Sequence, residues 1–214
     1  MSDFDIENIY AQIADDLRSS GLSIIENAVD PKIIQTLNER IASLEKDTFQ
    51  TAGIGRQSDH EKNAQIRRDK IRWLDRGNTQ ETGYLDAMDE LKSYLNRRLF
   101  MGLFSYESHF AHYQQGAFYK KHLDAFKGKA NRVLTTVFYL NEDWRTEDGG
   151  ELVIYQAENH DKELCRVLPK QGTLVTFLSD EFPHEVLAAN KSRYSIAGWF
   201  RINASTAAHI DPPR

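Results

Sequence analysis

Cysteine is almost absent from this chain, which carries only Cys165 among its 214 residues. A single cysteine cannot form an internal disulfide framework, and such usage is typical of a reducing compartment. No stretch approaches the roughly 20 apolar residues that a membrane-spanning helix requires. The N-terminal segment is acidic and contains no apolar run, so we expect no signal peptide. These absences predict a cytoplasmic protein with no membrane partner.

An excess of positive charge is also lacking. Lys and Arg number 27 against 32 Asp and Glu, which gives a net charge of −5. This balance argues against a dedicated nucleic-acid binder, so we expect no nucleic-acid partner. A hydrophobic content of 40% is enough for one sizeable core at this length. We therefore predict a single domain over residues 1–214. The residues do not define its oligomeric state.

The pattern of apolar residues changes along the chain. Helical spacing recurs in three stretches before residue 100, which begin near Ile6, Pro31 and Tyr84. From Ser108 onward, eight short β-branched and aromatic runs are separated by Gly and Pro. This order predicts an α+β, mainly β fold: a double-stranded β-helix, or cupin-like jelly roll, with supporting N-terminal helices. The predicted parts are helical support and a substrate loop in 1–100, the jelly-roll core in 101–203 and a tail in 204–214.

One set of residues in the β-rich part points to metal chemistry. His122 and Asp124 are two positions apart, so an extended segment projects both to one side. Together with His184 they offer two imidazoles and one carboxylate, the facial triad of non-haem Fe(II) oxygenases. A second His-x-Asp, His209-Ile210-Asp211, lies in the polar tail with no histidine after it. We interpret that copy as accidental.

Arg193 begins the last predicted strand and shares a face with Ser195 and Ala197 by alternation. A buried arginine facing a barrel interior is costly without an anionic partner. The guanidinium group offers a fork of donors that matches a carboxylate. The sequence therefore predicts a bound metal and a small dicarboxylate in one cavity.

Several segments together resemble the 2-oxoglutarate and Fe(II)-dependent oxygenases. Within them, the chain is most similar to the prolyl 4-hydroxylases related to the animal hypoxia-inducible-factor prolyl hydroxylases and their bacterial counterparts. The matching segments are Arg68–Trp73 (RDKIRW), Phe138–Trp144 (FYLNEDW), Gly149–Leu152 (GGEL), Phe182–Val186 (FPHEV) and Arg193–Ile196 (RYSI). The resemblance covers residues 48–202, with Arg68 in place of a glycine of the family and Ala197 in place of a threonine.

The resemblance implies a role for each matching residue. It assigns His122, Asp124 and His184 to the metal, and in that sense to catalysis. It assigns Arg193 and Tyr139 to the distal carboxylate of 2-oxoglutarate, and Tyr113 to the positioning of that co-substrate. Substrate binding falls to Arg132, Asp69 and Trp73, with an Asp69–Arg132 ion pair as a hypothesis. Trp73 fits a substrate entrance and a helix–sheet interface equally well.

The implied activity is hydroxylation of a prolyl residue in a protein substrate, which consumes O2 and 2-oxoglutarate and yields succinate and CO2. The implied cofactors are Fe(II) and 2-oxoglutarate, with ascorbate as a further one. The polar loop from about Thr48 to Ala64 would close over the peptide. Two alternatives stay open: an oxygenase of a small molecule or alkylated nucleic acid on the same centre, and a non-catalytic, cupin-like binding barrel. No residue selects a particular protein as the substrate.

The remaining histidines and tryptophans suggest structural roles. His109 and His112 lie on the predicted strand of Tyr113, where a lone histidine is usually hydrogen-bonded or solvated. Trp144 and Trp199 are predicted to be core residues, and His60 and His160 to lie in loops.

Overall fold

A computed structural model describes residues 4–44, 48–52, 65–125 and 131–203. It contains three α-helices among these residues, α1 (Ile6–Ser20), α2 (Pro31–Ser43) and α3 (Thr79–Leu99), and a short 3-10 helix at Thr146–Asp148. The strands are β1 (Leu22–Ile25), β2 (Gln50–Thr51), β3 (Lys70–Trp73), β4 (Ser105–Tyr113), β5 (Tyr119–His122), β6 (Arg132–Tyr139), β7 (Leu152–Tyr155), β8 (Glu163–Val167), β9 (Leu174–Leu178), β10 (His184–Val186) and β11 (Arg193–Arg201).

Each helix begins at a side chain that caps its first turn. Asp5, Asp30 and Asn78 accept hydrogen bonds from backbone N–H groups at the starts of α1, α2 and α3. Such caps satisfy donors that have no partner within the helix. Helix α1 ends at Gly21, which adopts the left-handed conformation (φ 71°) and returns its N–H to Leu17. Helix α3 begins ahead of Tyr84, its first predicted apolar position, because the cap at Asn78 starts it one turn earlier.

The strands form two antiparallel sheets. The larger sheet has the order β1-β9-β6-β11-β4-β3-β2, and the smaller has the order β5-β10-β7-β8. The eight strands β4 to β11 are divided equally between the sheets, and non-consecutive strands are neighbours in both. This interleaving is the predicted double-stranded β-helix, in which two sheets enclose a cavity.

Two apolar layers flank the larger sheet. On its outer face, Phe110, Phe138 and Phe200 pack against the three helices and are fully buried. On its inner face, Tyr113, Tyr139 and Phe177 belong to a second cluster between the sheets. The helices therefore cover the outer face, as the sequence predicts, and the inner face remains available for a site.

No helix among the described residues is long and apolar enough to cross a membrane. The predicted substrate loop is described only at residues 48–52, so residues 53–64, with His60, lie outside the described part. The tail from residue 204, with His209-Ile210-Asp211, also lies outside it. The single-domain assignment remains a prediction.

Candidate metal and 2-oxoglutarate site

The three predicted ligands meet at one end of the cavity. His122 closes β5 and pairs directly with His184, the first residue of β10, while Asp124 follows two positions after His122. One potential ligand atom from each residue lies within 4.8 Å of the others. Nε2 of His122 is 3.5 Å from Oδ1 of Asp124, and Nε2 of His184 is 3.6 Å from Oδ2. Pairing of two strands thus brings together residues that are about sixty positions apart in sequence.

Backbone carbonyls fix the orientation of both imidazoles. Nδ1 of His122 lies 2.8 Å from the carbonyl oxygen of Lys120, and Nδ1 of His184 lies 3.1 Å from that of Phe182. Because a carbonyl oxygen only accepts, each Nδ1 carries the proton and donates. The lone pair of each ring is then on Nε2, the atom that faces Asp124. Both histidines therefore have the tautomer that binds a metal.

Two further side chains hold the carboxylate of Asp124. Thr135 Oγ1 and Trp199 Nε1 both donate to Oδ2, at 2.8 and 2.9 Å. Such bonds to a ligating carboxylate fix its plane and are part of a functional metal site.

The electrostatics of the site favour a bound cation. Burial alone would raise the pKa of Asp124, but His184, His122 and Arg132 outweigh it and hold that pKa well below its usual range. Burial, assisted by His122, lowers the pKa of His184 to about 4. The aspartate is thus ionised and His184 neutral near pH 7, which are the protonation states that ligation requires.

The donor set fits a divalent transition metal. Metal–ligand bonds of about 2 Å place neighbouring ligand atoms roughly 3 Å apart. Here two pairs of ligand atoms are 3.5 and 3.6 Å apart and all three atoms lie within 4.8 Å of one another, so a small closure would complete the site. Two nitrogens and one carboxylate on one side leave the other positions of an octahedral ion open.

A second polar site lies on the inner face of the larger sheet, around Arg193. This side chain is 1% exposed, and its Nη1 donates to Ser195 Oγ at 3.3 Å. Among the described residues, Nε and Nη2 of Arg193 have no hydrogen-bond partner, and neither has the hydroxyl of Tyr139. Burial raises the pKa of Tyr139 to about 12, so its hydroxyl is protonated and able to donate.

Unsatisfied buried donors of this kind indicate a missing acceptor. A carboxylate is the group that matches a guanidinium fork and a phenol together. Tyr113 borders the same space, with its ring centre 4.8 Å from Cζ of Arg193. The arginine, Tyr139 and Tyr113 therefore fit the dicarboxylate that the sequence predicts.

The hypothesis of an Asp69–Arg132 ion pair is wrong. Asp69 pairs with Arg67, whose Nε lies 2.8 Å from Oδ1. Arg132 instead donates through Nη2 to Glu107 Oε1, at 2.8 Å. The reason is that Arg67 and Glu107 supply nearer partners, and the sequence reasoning did not weigh either of them.

Trp73 lies on the inner face of β3, opposite His109 of β4, and not in the helix–sheet interface. It is 41% exposed, and its ring centre is 5.3 Å from that of His109. His109 is buried and packs against Trp199 as well, with the ring centres 5.4 Å apart. His112 stacks on Tyr194, which is in line with its predicted structural role.

Sequence reasoning missed the role of Trp199. It was predicted to be a core residue, and it is buried, but its indole N–H is bonded to a candidate ligand. The alternation of side chains along the strand could have indicated this role. Trp199 lies six positions after Arg193 on the same strand, so both side chains are on the inner face.

Comparison with known proteins agrees with this geometry. Residues 108–201 match the family described as the 2OG-Fe(II) oxygenase superfamily. Egl nine homolog 1 of Homo sapiens is 27% identical over 195 residues, which cover 86% of this chain and 44% of that protein. The chain spans about half the length of the mammalian relatives that it matches.

Solved structures give a similar result. A prolyl-4-hydroxylase of Pseudomonas putida has a TM-score of 0.81 and 37% sequence identity, over 92% of this chain and 100% of that one. A prolyl hydroxylase of Trichoplax adhaerens, in complex with a peptide of the hypoxia-inducible factor, has a TM-score of 0.76 and 27% identity, over 91% of this chain and 90% of that one.

Proposed function

The chain belongs to the 2OG-Fe(II) oxygenase superfamily, and we propose that it hydroxylates a prolyl residue of a protein substrate. Members of this superfamily use Fe(II) and 2-oxoglutarate, so these two of the cofactors predicted from the sequence are confirmed at the level of the family. The proposed reaction consumes O2 and 2-oxoglutarate and yields succinate, CO2 and a hydroxyproline.

The observation that carries this proposal is the combination of two sites in one cavity. His122, Asp124 and His184 would hold the iron, and Arg193 with Tyr139 would hold the distal carboxylate of 2-oxoglutarate. Bound iron supplies the activation of O2, for which the oxidative decarboxylation of the keto acid provides two of the electrons. A binding barrel without this chemistry has no need of a buried arginine whose donors are unsatisfied.

The protein's own contribution is to bind and orient. The carbonyls of Lys120 and Phe182 keep Nε2 of each histidine facing Asp124, where the metal would bind. Thr135 and Trp199 hold the carboxylate between them. No side chain has to move a proton from substrate to solvent, so the absence of a catalytic acid–base pair in this scheme is expected.

The prime substrate would enter beside Trp73 and Arg132. Asp69, which was also predicted to bind it, is fully buried against Arg67 and does not line the entrance. Trp73 is exposed and shares the inner face of the sheet with His109, beside the metal site. The Pseudomonas and Trichoplax proteins that resemble this chain are both prolyl hydroxylases, and the second is bound to a peptide. These likenesses support proline in a protein as the target. The cytoplasmic location and the use of ascorbate remain predictions.

The test is succinate formation from 2-oxoglutarate by the purified chain with Fe(II), with and without proline-containing peptides. We expect turnover that a suitable peptide stimulates, and a mass increase of one oxygen atom on its proline. His184→Ala is the matched inactive control. Turnover that no peptide changes would favour a small-molecule oxygenase instead. No turnover under any condition would favour a binding barrel.

A further inference from the structure

His122 and Asp124 each end a chain of contacts that has the same order of groups. From the metal outward, the order is ligand, aromatic ring, arginine and carboxylate. We call the first chain the Tyr119 brace (Tyr119, Arg67 and Asp69). The second is the Trp199 brace (Trp199, Arg132 and Glu107).

The Tyr119 brace acts on the histidine through stacking. The rings of Tyr119 and His122 are nearly parallel, with centres 3.6 Å apart and an angle of 16°. On the tyrosine ring lies Arg67, with Cζ 4.3 Å from the ring centre, and Asp69 binds that arginine through two hydrogen bonds. The side chain of Asp69 is fully buried, so water does not compete for this pair.

The Trp199 brace acts on the aspartate through a hydrogen bond. Trp199 Nε1 donates to Oδ2 of Asp124 at 2.9 Å, and Cζ of Arg132 lies 3.6 Å from the centre of the indole ring. Glu107 Oε1 accepts from Nε and Nη2 of Arg132, at 3.1 and 2.8 Å. The side chain of Glu107 is only 6% exposed.

Stability alone gives little reason for two such pairs. The desolvation penalty of a buried ion pair is about as large as the Coulomb attraction between its charges. Proteins in which apolar residues of similar volume replace such a pair are often no less stable. A cation over an aromatic ring, in contrast, restricts where that ring can lie. Groups that orient metal ligands change metal affinity when they are removed, typically by about 10- to 100-fold.

We propose that Glu107 and Arg132, acting through Trp199, and Asp69 and Arg67, acting through Tyr119, are positioning residues for the metal ligands Asp124 and His122. This proposal rests on the proposed metal site. In this proposal Arg67 and Arg132 help to orient the metal ligands, whether or not they also contact the substrate. The segment before β3 also takes part, because Arg67 forms an isolated bridge with Tyr119.

The test is the dissociation constant for Co(II), measured without oxygen by titration and compared with the melting temperature of each variant. We expect Glu107→Gln and Trp199→Phe each to weaken Co(II) binding by about 10-fold or more. The double variant should bind little more weakly than either single variant, because both changes remove the same support from Asp124. Arg132→Met should behave like Glu107→Gln, and Asp69→Asn should weaken binding through the other brace.

Glu81→Gln is the matched control, since Glu81 is a buried carboxylate that binds Arg40 and Arg72 and touches no candidate ligand. It should lower the melting temperature and leave the Co(II) affinity unchanged. If Glu107→Gln binds Co(II) with wild-type affinity, or if Glu81→Gln loses as much Co(II) affinity as Glu107→Gln, the role of the Trp199 brace is wrong. If the wild type does not bind Co(II), or if His184→Ala binds it equally well, the proposed metal site itself is wrong. Co(II) binding without any prolyl hydroxylation would contradict only the proposed substrate.

Discussion

Gly150 lies directly against Arg193. A Cβ atom at Gly150 would be 3.2 Å from Cδ of the arginine and 2.8 Å from Cβ of Ala189. The glycine also has a φ of 72°, which side chains rarely tolerate. The Gly-Gly turn that the sequence shares with the family is therefore part of the wall of the arginine site.

Arg193→Ala should weaken the binding of 2-oxoglutarate by about 100-fold or more, because an unpaired buried charge costs roughly 3–5 kcal/mol. The measurement is calorimetric titration of the Mn(II)-loaded protein in the absence of oxygen. Arg166→Ala is a suitable control, since Arg166 is half-exposed on β8 and pairs only with Glu163 among the described residues. An unchanged dissociation constant for Arg193→Ala would show that the dicarboxylate binds elsewhere.

Tyr139→Phe isolates the second donor of the same site. The ring stays in place and only the hydroxyl is lost, so the fold should be unaffected. A hydrogen bond to a charged group contributes about 1.5–3 kcal/mol, and we expect the dissociation constant for 2-oxoglutarate to rise by roughly 10- to 100-fold. The same titration measures it. A variant that binds as tightly as the wild type would mean that the phenol faces no carboxylate.

Metal binding to His122, Asp124 and His184 should raise the melting temperature, because the metal binds the native state. At a free Mn(II) concentration of about 100 times the dissociation constant, the native state gains about 2.7 kcal/mol. For a chain of this size that corresponds to a rise of roughly 5–10 °C. Scanning calorimetry with and without Mn(II) measures the rise, and a chelator should reverse it. In His184→Ala, Mn(II) should change the melting temperature little. If the rise in that variant is as large as in the wild type, the metal binds at another site.

The sequence predicted the parts of the site that depend on spacing and alternation. His122 and Asp124 are close together in the chain, and the strand pattern around them is regular. His184 and Arg193 could be added because each opens a predicted strand. The jelly roll followed from eight short runs, and the comparisons with solved structures confirm it.

The arrangement around the ligands could not be read in the same way. Whether Arg132 binds Asp69 or Glu107 depends on distances between strands that are far apart in sequence, and charge alone allows either pair. The bond from Trp199 to Asp124 likewise depends on the tilt of one ring. Such contacts are decided by packing between elements, which a single sequence does not display.

Glu81 shows how a polar residue can hold the helices to the sheet. It is fully buried on α3, accepts from Arg40 Nε on α2 and Arg72 Nη1 on β3, and takes a third bond from the backbone N–H of Asp75. Glu81→Ala should lower the free energy of unfolding by about 1.5–3 kcal/mol, since it removes charge-assisted hydrogen bonds from two arginines that are 16% and 21% exposed. Urea denaturation measures the loss. A change below about 1 kcal/mol, the usual range of exposed pairs, would contradict this account.

On the helix side of the larger sheet, the side chain of Tyr106 fills the space beside Gly198, which has no side chain of its own. A Cβ atom at Gly198 would overlap the hydroxyl oxygen of Tyr106, which itself bonds to Thr136 Oγ1 at 2.8 Å. Gly198→Ala should therefore cost about 1–3 kcal/mol of unfolding free energy through overpacking. Tyr106→Leu removes the obstructing ring, so the cost of Gly198→Ala should be smaller in that background. A double-mutant cycle by urea denaturation measures the difference, and strict additivity would show that the two residues do not compete for the same space.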